Sequence, residues 1–135
     1  MDQIKVHVEV EVNPTESEEK VKRALWNLFG DLPTETKPAH KGSTLTADAQ
    51  GQMSLATLKN LLHRDHIRDA ARKALLSGTQ EGTIRFYLNK QVAFAGHISF
   101  SEELAESPLG PIKIEINCEN PRELIDWIAA KTTKT

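Results

Sequence analysis

The stretch Arg85-Phe86-Tyr87-Leu88-Asn89-Lys90-Gln91-Val92-Ala93-Phe94-Ala95-Gly96-His97 decides the fold. Ile84, Phe86 and Leu88 are apolar at alternate positions, and so are Val92, Phe94, Ile98 and Phe100. Period two in a run rich in β-branched and aromatic residues marks a half-buried strand. A two-residue turn at Asn89-Lys90 would set the two apolar series on opposite faces. A three-residue loop, Asn89-Lys90-Gln91, pairs Leu88 with Val92 and Phe86 with Phe94, and brings both series to one face. The stretch therefore reads as a β-hairpin. Its outward face carries Thr83, Arg85 and Tyr87 across from His97, Ala95 and Ala93, and the alanines leave room beside Arg85 and Tyr87. Gly96 marks a bulge or a close approach.

Outward from the hairpin, Ile4, Val6, Val8, Val10 and Val12 alternate with polar residues, which is again a strand. Pro14 suits the first position of a following helix, with Thr15 and Glu18 as its capping box. Val21, Leu25 and Leu28 form the apolar stripe of that helix, and Gly30 to Pro33 ends it. Residues 34–50 are polar and threonine-rich, open to one or two weak strands or a long loop. Helical spacing returns from Ser54 to Leu75 and slips near His63 to His66, as two helices or one bent helix would. Gly78 to Gly82 reads as a helix cap and turn. A loop from Ser101 to Pro111 leads to a strand through Ile112, Ile114 and Ile116. Asn120-Pro121 caps a last helix with Leu124, Ile125 and Ile128 inward, and residues 131–135 form a frayed tail. Strands in a meander with intervening helices predict a single α+β domain over residues 1–135: a two-layer sandwich, its sheet largely antiparallel and its helices packed on one face.

Composition narrows the function. Of 135 residues, 39% are hydrophobic and 27% charged, the balance of an ordinary globular chain. The single cysteine, Cys118, allows no internal disulfide and fits a small core residue in a reducing cytoplasm. No apolar run is long enough for a bilayer, so no membrane partner is expected. The net charge of −2 argues against indiscriminate binding to nucleic acid. Yet Lys59 to His97 holds seven Lys/Arg and three acids, whereas the remainder is acidic. Binding follows the local potential, and a basic middle in an acidic frame can present a positive face.

Chemistry finds little support. His63 and His66 are three apart, but no third ligand stands near them and Arg64 and Arg68 repel a cation. Ser99, Ser101 and Ser107 lie near His97 without a nucleophile motif, and Glu102, Glu103 and Glu106 read as a solvated cluster. Gly78 and Gly82 lack the lysine and the helix of a phosphate loop. The chain is expected to be no enzyme and to need no cofactor. The basic residues are the better candidates. Arg64, Arg68 and Arg72 recur every four residues, and such a stripe would meet successive phosphates. Tyr87 offers a stacking surface, with Arg85, Lys90 and His97 as neighbouring charge. Asp65 and Asp69 offer the alternative of ordinary helix ion pairs.

The segment Phe86 to Phe94, followed by Ser107-Pro108-Leu109-Gly110-Pro111-Ile112, resembles a family of small archaeal proteins of uncharacterised function. So do Val12-Asn13-Pro14-Thr15-Glu16 and Leu124-Ile125-Asp126-Trp127, in the same order along nearly the whole chain. The resemblance implies a predicted RNA-binding or exosome-associated protein. It also implies a fold similar to that of the large-subunit ribosomal protein that binds the smallest ribosomal RNA. The shared Asn89-Lys90-Gln91 is either a functional loop or a demand of the turn, and on the first reading Asn89 joins Lys90 among the expected RNA contacts. The expectation is a non-enzymatic RNA-binding accessory of archaeal RNA processing or ribosome function. The alternative is a dimeric interaction module without RNA contact.

Overall fold

The computed structural model describes residues 3–101 and 110–130. The acidic loop cluster Glu102, Glu103 and Glu106, Ser107 to Leu109, and the 131–135 tail lie outside the described residues. β1 (Lys5–Val12) is followed by α1 (Glu18–Phe29), then β2 (Thr34–Pro38) and β3 (Ser43–Gln50). A 3₁₀ turn at Gln52–Leu55 leads into α2 (Ala56–Arg64) and α3 (Arg68–Ser77). β4 (Thr79–Gln80), β5 (Thr83–Asn89), α4 (Lys90–Phe94), β6 (Phe100–Ser101), β7 (Pro111–Asn117) and α5 (Pro121–Ile128) complete the described chain.

The strand order is β2-β3-β1-β7-β5-β4, with β6 also on β5, and every pair is antiparallel. The alternation read from the sequence sets the register. Val8 lies between Ala47 and Ile114, and Ile114 faces Phe86; all four are buried. Helices cover that face, and one continuous hydrophobic cluster joins sheet and helices. This is the α+β sandwich expected, with an antiparallel sheet and helices on one face. The other face carries the odd-numbered residues of β1, β5 and β7 and is open.

Residues 34–50 resolve as a hairpin, β2 with β3. Its turn closes through an Ala39 N–H donating to the Gly42 carbonyl, 3.2 Å. Gly42 has φ +73°, and a Cβ there would meet the Val12 carbonyl oxygen at 2.0 Å, so only glycine fits. The helical stretch after Ser54 is two helices, broken at Asp65–Ile67 with His66 at φ +58°. Between α3 and β5, Glu81 and Gly82 both have positive φ and make a two-residue hairpin turn joining β4 to β5. Asn120 caps α5 as expected, its side chain accepting from the Glu123 N–H.

Two local expectations are corrected. The second hairpin strand does not exist: residues 90–94 are the helix α4, and only Phe100–Ser101 pairs back onto β5. The Asn89 side chain accepts from the Val92 N–H at 2.9 Å, which starts a helix where a hairpin turn was read. The partner of β5 across the sheet is β7, so Arg85 faces Glu115 and Tyr87 faces Lys113. His97 lies off the sheet altogether. The start of α1 also shifts. Ser17, not Thr15, is its cap, and Asn13 to Glu16 form a turn in which Glu16 Oε1 accepts from the Asn13 backbone and side-chain nitrogens, both at 2.9 Å.

Candidate nucleic-acid interface

The break between α2 and α3 divides the expected arginine stripe. Arg64 ends α2. Its guanidinium donates to Asp65 Oδ1 at 3.0 Å and to the Gly96 carbonyl, and lies 3.4 Å from His97 Nδ1. His97 Nδ1 is also 3.1 Å from Asp65 Oδ2, so this cluster ties the α2–α3 junction to the loop after α4. The Arg64 hydrogen bond, aided by His97, outweighs the cost of burial and holds the Asp65 carboxyl below its ordinary value. Arg68 opens α3, half-buried. Arg72 is buried: it pairs with Asp126 at 2.7 Å and donates to the Ala129 carbonyl at 3.2 Å, pinning α3 to α5. Of the three arginines, only Arg64 is brought together with another expected site residue, His97.

Lys90 is buried as well, 5% exposed. Its Nζ donates to the Glu11 carbonyl at 2.7 Å and to both Glu16 oxygens at 2.9 and 3.1 Å. Burial alone would raise the Glu16 carboxyl. The hydrogen bonds from Asn13 and Lys90 outweigh it and hold the group below its ordinary value. Asn89 and Lys90 thus start α4 and fasten it to the end of β1 and the turn before α1. A lysine with all its protons engaged in the interior has none left for a phosphate.

Arg85 and Tyr87 do occupy the open sheet face. Arg85 donates to Glu115 Oε2 from Nε at 2.9 Å and from Nη2 at 2.6 Å, while His7 Nδ1 and Asp48 Oδ1 meet at 2.7 Å. The register brings Lys5, Lys37, Arg85 and Lys113 to this face with Glu9, Glu11, Glu35, Asp48 and Glu115. Four cations interleaved with five acids leave no positive field for a phosphate backbone.

A different surface gathers free cations and aromatic rings. Along α1, Lys20, Arg23 and Asn27 follow at intervals of three and four and so share a face. The Asn27 amide donates to the carbonyls of Ala93 and Phe94 at 2.9 and 3.1 Å, which seats α4 against α1. Phe94 is thereby held 45% exposed, and Trp26 is 54% exposed. Lys20 Nζ sits 5.9 Å from the centre of the Phe94 ring, and the Arg23 guanidinium 5.4 Å from that of Trp26. Among the described residues, neither Lys20 nor Arg23 enters a salt bridge. Beside Phe94 lies a groove of about 390 Å³ lined by Thr15, Ser17, Lys20 and Gln91, among others. From Phe94 the chain runs directly to Gly96 and His97, and so to Arg64.

Sequence reasoning missed these residues for two different reasons. Trp26 carries a legible signal, a tryptophan off the Val21-Leu25-Leu28 stripe and three residues after an arginine. Phe94 was hidden, because reading residues 92–100 as a strand sent it into the core.

The fold and this surface define a class: a small α+β domain with an open antiparallel sheet and a basic, aromatic-bearing helical flank. A family model described as "RNA binding" matches residues 5–118. A UPF0201 protein of Pyrobaculum arsenaticum is 42% identical over 130 residues, covering 96% of this chain and 91% of that protein. One from Methanopyrus kandleri is 44% identical, covering 90% of this chain and 81% of that protein. The chain belongs to this UPF0201 family of archaeal proteins. Its fold is similar to the crystal structure of the UPF0201 protein from Methanococcus jannaschii, with a TM-score of 0.84 and 29% identity over 96% of this chain and 95% of that one. A DUF54 protein from Methanothermobacter thermautotrophicus shares the fold at 18% identity and a TM-score of 0.57, over 94% of this chain and 93% of that one.

Proposed function

We propose that this protein binds RNA without catalysing a reaction, as a cytoplasmic accessory of archaeal RNA processing or ribosome function. The observation that carries the reading is that Lys20 and Arg23, neither in a salt bridge among the described residues, stand over the exposed rings of Phe94 and Trp26. Three other candidate cations are engaged, Arg72 and Lys90 in the interior and Arg85 by Glu115. The family model described as RNA binding supports the same reading. Lys20 and Arg23, which enter no salt bridge among the described residues, are the cations that displace counterions from a phosphate backbone, whereas Arg64 is held by Asp65; the contribution of the first two fades with salt.

The test is a fluorescence-anisotropy titration with RNA at low and near-physiological salt, comparing the wild type with a Lys20→Ala/Arg23→Ala variant. Circular dichroism checks that the variant is folded. The wild type binds with an affinity that falls steeply with salt. The variant binds more weakly, its log-log salt slope shallower by roughly 1.4, at about 0.7 per cation removed for single strands. Absent or salt-insensitive binding by the wild type overturns the proposal.

A further inference from the structure

Resting on the RNA reading above, we infer that the α1–α4 flank takes unpaired RNA, with bases stacked on Phe94 and Trp26. Three features of the surface point there. The first is the rings themselves. Phe94 and Trp26 stand 45% and 54% exposed on adjoining helices, although the core next to them is closely filled. Single exposed apolar side chains are ordinary, but two rings on adjoining helices form the kind of exposed patch that marks an interaction surface. The second is rigidity. Phe94 does not sit on a loose loop, since Asn27 holds the last carbonyls of α4 and the buried Lys90–Glu16 pair holds its start. A pre-positioned ring loses little freedom when a base lies against it. The third is the company of each ring. Lys20 lies over Phe94 and Arg23 over Trp26, so a base stacked on either ring has a cation within reach of its phosphate.

These features select among nucleic acids. In a duplex the base faces are occupied by their neighbours, and an aromatic ring gains access only by unstacking a step. In single strands, loops and bulges the faces are free, and stacking on aromatic side chains is how proteins hold them. The groove beside Phe94 adds the Thr15 and Ser17 hydroxyls and the Gln91 amide, groups suited to base edges and ribose hydroxyls. A flank with only lysines and arginines would treat duplex and single strand alike. The two rings make the difference.

The experiment uses the full chain, titrated with a single-stranded RNA and with a hairpin-paired RNA of equal length at one salt concentration. The wild type prefers the single strand. Phe94→Leu and Trp26→Leu each weaken single-strand binding about tenfold while leaving the paired RNA unchanged, and Phe94→Tyr restores it. Both rings are exposed, so the variants stay folded. In a Trp127→Phe background Trp26 is the sole tryptophan, and its emission is quenched when the single strand binds. A wild type that binds neither RNA overturns the RNA reading itself. Binding that is indifferent to strandedness and to both leucine variants, with no quenching, overturns the stacking alone and leaves the flank as a phosphate-binding or protein-docking surface.

Discussion

At the residue scale, Lys90 decides the most. Lysine is almost never buried unless paired, and here the ammonium is matched by a carbonyl and both oxygens of Glu16. Removing one partner leaves the other charge buried alone. Lys90→Ala therefore destabilises the protein by about 3–5 kcal/mol in urea unfolding, whereas Lys90→Met/Glu16→Met recovers much of that loss. The pair also sets an acid limit. The Glu16 carboxyl is held below its ordinary value of 4.5, so it takes up a proton more readily unfolded than folded. Its contribution is full above that value and disappears as pH falls through the lower, folded value. Asp65 acts in the same direction. Urea midpoints therefore drop as pH falls below the ordinary carboxylate value, and Glu16→Gln flattens the drop. A variant as acid-sensitive as the wild type would place the effect on other carboxylates.

At the element scale, α4 is where sequence and structure part. Its five residues have apolar spacing that fits a strand, and parity alone cannot tell a short helix from a hairpin arm. What tips the balance is a cap at Asn89, a buried ion pair at Lys90 and the Asn27 amide on the closing carbonyls. Two of these partners lie more than sixty residues away in the chain. Asn89→Ala removes the cap and costs about 1 kcal/mol. Hydrogen exchange locates that loss, with Val92 and its neighbours opening faster and the β1–β7 amides little changed. The longer elements were legible because their patterns are long. Eight alternating residues in β1 and the Val21-Leu25-Leu28 stripe of α1 admit one reading each.

At the scale of the whole molecule, the distribution of charge separates two surfaces that a sequence runs together. Arg85 and Lys113 lie on the sheet face among acids, and Lys20 and Arg23 on the helical flank among aromatic rings. If the flank is the RNA surface, Arg85→Ala/Lys113→Ala leaves the affinity within about twofold of the wild type, because Arg85 is paired with Glu115 and Lys113 stands on a face where acids balance the cations. Lys20→Ala/Arg23→Ala lowers it at least tenfold at low salt. Anisotropy titrations of the two double variants side by side make the comparison, and a larger loss from the sheet-face variant would move the interface to the open sheet.

The sequence by itself determined the class of fold, the helix-covered face of the sheet and the register parity of its long strands. Those follow from hydrophobic periodicity, a local property repeated over enough residues to be unambiguous. It also carried the basic character of the middle of the chain. Tertiary packing settled which cations along the chain are free. Arg72, Lys90 and Arg85 look alike in sequence to Lys20 and Arg23. The first three meet acids brought from Asp126, Glu16 and Glu115 by the packing of distant elements, and the last two do not. Whether a cation faces an acid or water depends on which elements pack against it, and that is settled by the whole core rather than by its neighbours in the chain.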